Sequence, residues 1–388
     1  MKIIYLANAR IPTEKAHGFQ IMKMSEAFSL AGEEVELVLP TKKNEEFENI
    51  NPFDYYQIKK VFKIKKVFAF DPDCLIEPFS GVYIKIQTLF FLLSLFIYLL
   101  FKKRKKNYFF YTRDEIILPL LSLFSKKIIW ECHSLPKNVK FYKKYWQRCL
   151  KIVVLTQSLK AELIRIGIRG DKIIIAPDAV DLEVFAINLN KEEARKESDL
   201  PLAKIIIGYT GSFRTKNMDK GIIDILKALA ILKSEIKDIL FLAVGGSQPD
   251  IDYYQQLAKQ EGVSELILFL PRVEQKKLAV FQKAADILLM PFPDKVHYRY
   301  YMSPMKLFEY MASARPIVAS DLPSIREVLN DNNSILVKPD NPDSLAEGIK
   351  KALQNSELSD KITRQAFREV GNYTWQKRGQ NIINFIKQ

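Results

Sequence analysis

The chain has 388 residues, 48% of them hydrophobic and 27% charged, with a formal net charge of +14. That length exceeds one ordinary core and predicts two domains, and the composition excludes a disordered or fibrous protein. Three cysteines without CxxC spacing and only three histidines argue against a disulfide framework, a structural zinc site and a His-rich metal centre. Met1–Leu6 is too short an apolar run for a cleavable signal peptide, so a reducing, cytoplasmic setting is expected. Residues 1–182 carry 30 basic against 19 acidic side chains, and residues 183–388 carry 29 against 26. The surplus sits in the first half and points to an anionic partner there.

Lys2–Ala7 reads as a buried parallel strand, followed by a helix from Phe19 to Ala31 that Gly32 ends. Strands follow at Val35–Leu39, Tyr108–Tyr111, Lys127–Trp130 and Ile152–Leu155. The polar stretch from Asn188 reads as a linker over 188–203. A second series then predicts strands at Ile205–Tyr209, Leu240–Val244, Leu266–Phe269, Ile287–Met290, Pro316–Ala319 and Ser334–Val337, with helices such as Gly221–Leu232 and Pro342–Gln354 between them. Two such runs predict two doubly wound α/β domains facing a central cleft, with ligands beyond the carboxyl ends of the strands. The boundaries read as 1–187, 188–203, 204–372 and 373–388.

Ile86–Phe101, "IQTLFFLLSLFIYLLF", interrupts this pattern and runs directly into Lys102-Lys103-Arg104-Lys105-Lys106. As a helix it is about 24 Å long, short of the roughly 30 Å hydrocarbon core. It suits either a buried crossover helix or a surface element dipping into a bilayer. In "KNVKFYKKYWQRCLK", Lys140, Lys143, Lys144, Arg148 and Lys151 fall on one predicted helical face beside Phe141, Tyr142, Tyr145 and Trp146. Basic–aromatic helices suit anionic lipid headgroups. No nucleic-acid recognition signature accompanies them, and no nucleic-acid partner is expected.

Two segments carry the candidate chemistry. In "IGYTGSFRTKNMDKGIIDILKALAIL", Gly211 permits close backbone approach, while Arg214, Lys216 and Lys220 place cations near a helix start at Lys220-Gly221. In "MSPMKLFEYMASARPIVAS", Ser303 is a candidate N-cap with Pro304 at the first helical position. Lys306 and Glu309 are unusual on a helix so near the core. Two helix N-termini converging on one anion would explain both segments.

"SPMKLFEYMASARPIVASDLPSIREVL", "DKGIIDILKALAIL" and "IIIAPDAVDLEVF" together resemble retaining glycosyltransferases of the family-four type, which have the GT-B fold. "EKAHGFQIMKMSEAFSLAGEEVELV" and "WECHSLPK" resemble the N-terminal domain of that family, so the likeness runs in order over nearly the whole chain. It implies two Rossmann-like domains, a C-terminal helix crossing back onto the first, and a nucleotide-diphosphate sugar donor, UDP- or GDP-linked, with no further cofactor and no metal. By position, Glu309 would contact the ribose, Ser303 and Met305 would hold the diphosphate through backbone N–H groups, and Lys220 would neutralise it. Gly211, Ser212 and Gly18 fall at donor-binding positions, and His133 and Arg214 at positions near the transferred sugar and phosphate. His17 and Arg113 would meet the acceptor, although Arg113-Asp114 equally suits a structural ion pair. The chain departs from the family pattern at Tyr301, where a first glutamate is usual, at Ser212, where an arginine is usual, and at Asp178-Ala179, where Asn-Gly is usual. The expected activity is hexosyl transfer with retention to a hydroxyl acceptor, a glycolipid or glycan, in cell-surface polysaccharide assembly at the inner face of the membrane. A soluble synthase acting on a small metabolite and a catalytically silent sugar-nucleotide-binding protein are the alternatives.

Overall fold

The computed structural model describes every residue except 43–44, 72–79, 103–107 and 216–217. It divides into two units, Met1–Pro177 with Trp375–Gln388, and Asp178–Thr374. Lys216 and most of the 102–106 basic run lie outside the described residues.

The first unit is built on seven parallel strands: β1 (Lys2–Leu6), β2 (Glu34–Pro40), β3 (Lys63–Val67), β4 (Tyr108–Thr112), β5 (Ile128–Cys132), β6 (Lys151–Val154) and β7 (Ile173–Ile175). Their order is β3-β2-β1-β4-β5-β6-β7, a doubly wound topology that switches direction between β1 and β4. Ile3–Leu6 and all of β5 are buried, as strands covered on both faces must be. The edge strand β3, "KIKKV", is mostly exposed; its charge hides it from an apolar-run search, and the three-residue β7 is too short for one.

Helix α1 (Ala16–Leu30) packs against the C-terminal helix Trp375–Lys387 within this unit. A Cβ on Gly379 would stand 2.8 Å from that of Ala27, so the helices approach through two small residues. Helix α2 (Ser80–Lys102) contains the long apolar run. Phe91, Leu95 and Leu99 are buried, whereas Ile84, Leu89, Leu93, Ile97 and Phe101 are exposed. It is therefore a crossover helix with one apolar face on the sheet and another uncovered. In α3 (Val139–Arg148), Trp146 is buried and stacks on Trp130 at 4.9 Å, so it belongs to the core. Lys151 falls on β6 instead of the basic helical face.

The second unit has six parallel strands: β8 (Ile205–Thr210), β9 (Ile239–Gly246), β10 (Ile267–Pro271), β11 (Ile287–Met290), β12 (Ile317–Ser320) and β13 (Ile335–Val337). Their order β10-β9-β8-β11-β12-β13 again reverses beside the first strand. The expected linker 188–203 is not one. It contains helix α4 (Lys191–Glu197), started by an Asn190/Glu193 capping box, and Ala194 and Leu200 sit in the core of this unit. Arg195 is buried there, donating to the carbonyls of Ala284, Leu202 and Lys204 and paired with Asp286. The boundary moves from 187/188 to 177/178 because a few buried side chains anchor an otherwise polar segment.

Candidate functional site

In the second unit the turn after β8 lies at the topological switch point. Gly211 has φ +105°, and its N–H donates to Val244 O at 2.8 Å. Gly245, at φ +118°, backs onto it so closely that a Cβ there would meet Gly211 O at 2.8 Å. Both positions need glycine, for conformation and for space. Lys220 Nζ donates to Ser212 Oγ at 2.7 Å, joining two of the expected donor-site residues. Burial and the nearby Arg272 pull the Lys220 ammonium down to about 8.

The structure uses the two other expected anion-binding elements of this loop differently. Arg214 donates through Nε to Asp250 at 2.5 Å and lies over the Tyr253 ring, so its charge is already matched. Helix α5 (Ile222–Leu232) is preceded by Gly221 at φ +94°. The Asp219 carboxylate accepts from Gly221 N and from Ile222 and Ile223 N–H groups, and from Tyr254. That N-terminus is occupied by the protein's own carboxylate, which leaves the other of the two expected helix starts.

That start belongs to helix α7 (Met305–Ala312), reached through the helical turn His297–Tyr301 that contains Tyr301. Helix α6 (Gln275–Ala284) contributes Gln282 beside it. Ser303 does not cap α7. Its Oγ accepts from Asp178 N at 2.8 Å, Pro304 takes the N-cap position, and no side chain caps the first turn that Met305 opens. Glu309 accepts from Gln282 Nε2 at 3.2 Å, and the same amide donates to Thr210 Oγ1 at 3.0 Å. Burial pushes the Glu309 carboxyl up to about 7, opposed by the Gln282 bond and by Lys306. Tyr310 closes the group by accepting Thr210 N at 2.8 Å. Gly211, Ser212, Lys220, Lys306 and Glu309 thus gather at the ends of β8 and α7.

The first unit gathers His133, Arg113 and Gln20 around Glu131, a fully buried carboxylate near the carboxyl end of β5. Glu131 Oε1 accepts from Gln20 Nε2 at 2.6 Å, His133 Nε2 at 2.9 Å and Arg378 Nη2 at 2.8 Å, and Oε2 accepts from Tyr111. Burial works against its ionisation, but Arg378, His133 and Tyr111 hold it well below the usual carboxylate range. Arg113 donates to Gln20 at 2.7 Å and faces His133 Nδ1 at 3.3 Å. Both ring nitrogens of His133 are engaged, and burial and Arg113 pull its pKa down to about 4. Arg113 does not pair with Asp114, whose carboxylate accepts Asn8 N at 2.6 Å. His17, likewise depressed to about 4 by burial and Arg113, belongs to the same charged neighbourhood.

Gly18 is set by packing. Its N–H bonds Lys15 O, and a Cβ would stand 2.4 Å from Tyr56 Oη and 2.5 Å from Thr13 Cγ2. Sequence reasoning passes over Glu131 and Arg378. The one signal for Glu131 is a charge inside the otherwise apolar strand "IIWEC". Among the described residues, no group of three or more His, Cys, Asp or Glu side chains is placed to hold a metal ion.

Residues 190–369 match the family model described as glycosyl transferases group 1. The second unit contains a group 1 glycosyltransferase domain. An uncharacterized glycosyltransferase of Methanocaldococcus jannaschii is 26% identical over 252 residues, covering 63% of this chain and 62% of that relative's length. A glycosyltransferase from Rickettsia africae superposes with a TM-score of 0.75 at 16% identity, covering all of this chain and 97% of the other. The Anabaena protein HepE, solved with UDP and glucose, superposes at 0.73 with 14% identity and covers 100% and 99%. The fold of the glycosyltransferase domain and its companion unit is therefore that of GT-B proteins, two parallel-sheet Rossmann-like domains.

Proposed function

We propose that this chain transfers a hexosyl group from a nucleotide-diphosphate sugar to a hydroxyl acceptor with retention of configuration. The observation that carries the reading is the cluster at the switch point of the second sheet: the Gly211–Ser212 turn held by Lys220, the uncapped start of α7, and Glu309. Lysine and helix-start N–H groups suit a diphosphate, and a carboxylate one turn further along α7 suits the ribose hydroxyls beside it. HepE, of the same fold, was solved with UDP, which favours a uridine donor over a guanosine one.

In the step itself, the sugar C1–phosphate oxygen bond breaks as the acceptor oxygen bonds C1 on the same face. The acceptor proton passes to the departing phosphate oxygen, so no enzymic nucleophile is required. Lys220 stabilises the charge that develops on the leaving diphosphate, worth about 1.5–3 kcal/mol for a charge-assisted bond. His17 and Arg113 of the first unit bind the acceptor. Turnover assays with UDP- and GDP-hexoses test the reading: Lys220→Met should lower kcat at least tenfold, and a wild-type protein that neither transfers nor hydrolyses any hexose donor refutes it.

The acceptor is lipid-linked and the chain works at an anionic membrane surface. This rests on the uncovered apolar face of α2, continued by exposed Phe68 and Phe70 and flanked by exposed Lys63, Lys65 and Lys66 of β3. An apolar face bordered by lysines matches the interface of a negatively charged bilayer. Flotation of the full chain with phosphatidylglycerol vesicles, but not with phosphatidylcholine vesicles, is the expected result. Leu93→Glu with Ile97→Glu should abolish it, and flotation that ignores lipid charge and both substitutions overturns the membrane reading.

A further inference from the structure

We propose that Lys306 is a second diphosphate-binding cation, left without a partner in the free protein because its partner is the ligand's phosphate. This deepens the donor reading above and rests on it. Lys306 is only 8% exposed, and its Nζ has no hydrogen-bond partner among the described residues. The ammonium lies 3.5 Å from the centroid of the Tyr209 ring and 5.4 Å from that of Phe292. Aromatic faces attract a cation, but they accept none of its hydrogen bonds in the way an oxygen does. A Cβ on Gly211 would stand 3.3 Å from Lys306 Cε and 3.5 Å from Nζ, so the ammonium borders the open side of that turn. Lys220 Nζ is bound to Ser212 of the same turn. Two ammonium groups therefore bracket Gly211–Ser212, beside the uncapped start of α7.

The nearby acids do not satisfy Lys306. Asp219 serves the start of α5 and Tyr254, Asp250 serves Arg214, and Glu309 is bonded to Gln282. An ordinary core position would be filled better by leucine or methionine. A buried ammonium with no acceptor makes sense where a ligand brings the acceptors, and two cations side by side require a ligand with more than one charged oxygen group. A diphosphate meets that requirement. The charged groups acting on Lys306 are Lys220, which opposes its protonation, and Glu309, which favours it; burial, aided by Lys220, outweighs Glu309 and holds it well below the ordinary lysine range. Ligand binding should therefore bring a proton with it.

Calorimetric titration of the full chain with UDP, GDP and inorganic pyrophosphate, in two pH 8 buffers of different ionisation enthalpy, tests this. Wild type should take up protons on binding. Lys306→Met should take up fewer protons and bind UDP and pyrophosphate roughly 10- to 150-fold more weakly, the range of one charge-assisted hydrogen bond. Its ligand-free melting temperature should not fall. Binding within twofold of wild type overturns the proposal, as does weaker binding with unchanged proton uptake, which marks a structural role. Should the variant fail to fold, wild-type binding without proton uptake overturns it alone. Failure of wild type to bind any of the three probes refutes the donor reading instead.

Discussion

Replacing Glu309 by Gln should make the ligand-free protein more stable at pH 8 and leave it nearly unchanged at pH 5. Burial raises the Glu309 carboxyl from its ordinary 4.5 to about 7. The folded state then holds the proton more tightly than the unfolded chain does. Stability from this group is fully present below about pH 4.5 and is lost as the pH rises through 7. At about 1.4 kcal/mol per pH unit, that interval corresponds to roughly 3 kcal/mol. Glutamine has the same shape, never ionises, and keeps a carbonyl oxygen for the Gln282 amide, so it retains at pH 8 what glutamate has only in acid. For a domain of this size the gain is about 6–12 °C in melting temperature. Differential scanning calorimetry of both proteins at pH 5, 6, 7 and 8 measures it, because titrating groups that do not interact with Glu309 cancel in the difference. A constant offset from pH 5 to 8 would refute the reasoning. The ionised, desolvated carboxylate is a cost the free protein bears for the ribose it is proposed to hold, so the stabilised variant should also bind UDP more weakly.

Glu131→Gln removes the charge that four donors surround and leaves the Arg378 guanidinium buried without its anion; a loss of about 3–5 kcal/mol in urea unfolding of the first unit is expected. Gly18→Ala should cost about 1–3 kcal/mol by overpacking against Tyr56 and Thr13, and adding Tyr56→Phe, which deletes the hydroxyl nearest the new methyl, should recover part of it in melting experiments. Arg214→Met should change UDP affinity less than twofold, in contrast to Lys220→Met, because Asp250 already neutralises Arg214; isothermal titration separates the two. The kcat profile between pH 6 and 8 should carry no ionisation of His133, so His133→Gln should leave its shape unaltered even if the rate falls.

Much of the fold was legible in the sequence. Apolar strands such as "KIIYL" and "ILLM", with helices between them, announce two doubly wound sheets because strands covered on both faces must be apolar throughout. Edge strand β3 was not legible: one of its faces meets water and carries lysines. The boundary at 177/178 was not legible either, since composition reports the many exposed residues of 188–203 and not the buried Ala194, Arg195 and Leu200.

The candidate site divides in the same way. The sequence by itself determined which residue types reach the ends of β8 and α7, because Gly211, Ser212, Lys220, Lys306 and Glu309 lie in turns and helix starts with recognisable local grammar. Only the tertiary structure decided which charges are free to act. Arg214, Asp219 and His133 look equally available along the chain. Asp250, the first turn of α5 and the Glu131 network engage them, whereas Lys306 faces the turn with no oxygen to bond among the described residues. Charge is local in sequence, but whether it is neutralised depends on partners distant along the chain, and desolvation depends on everything packed around it.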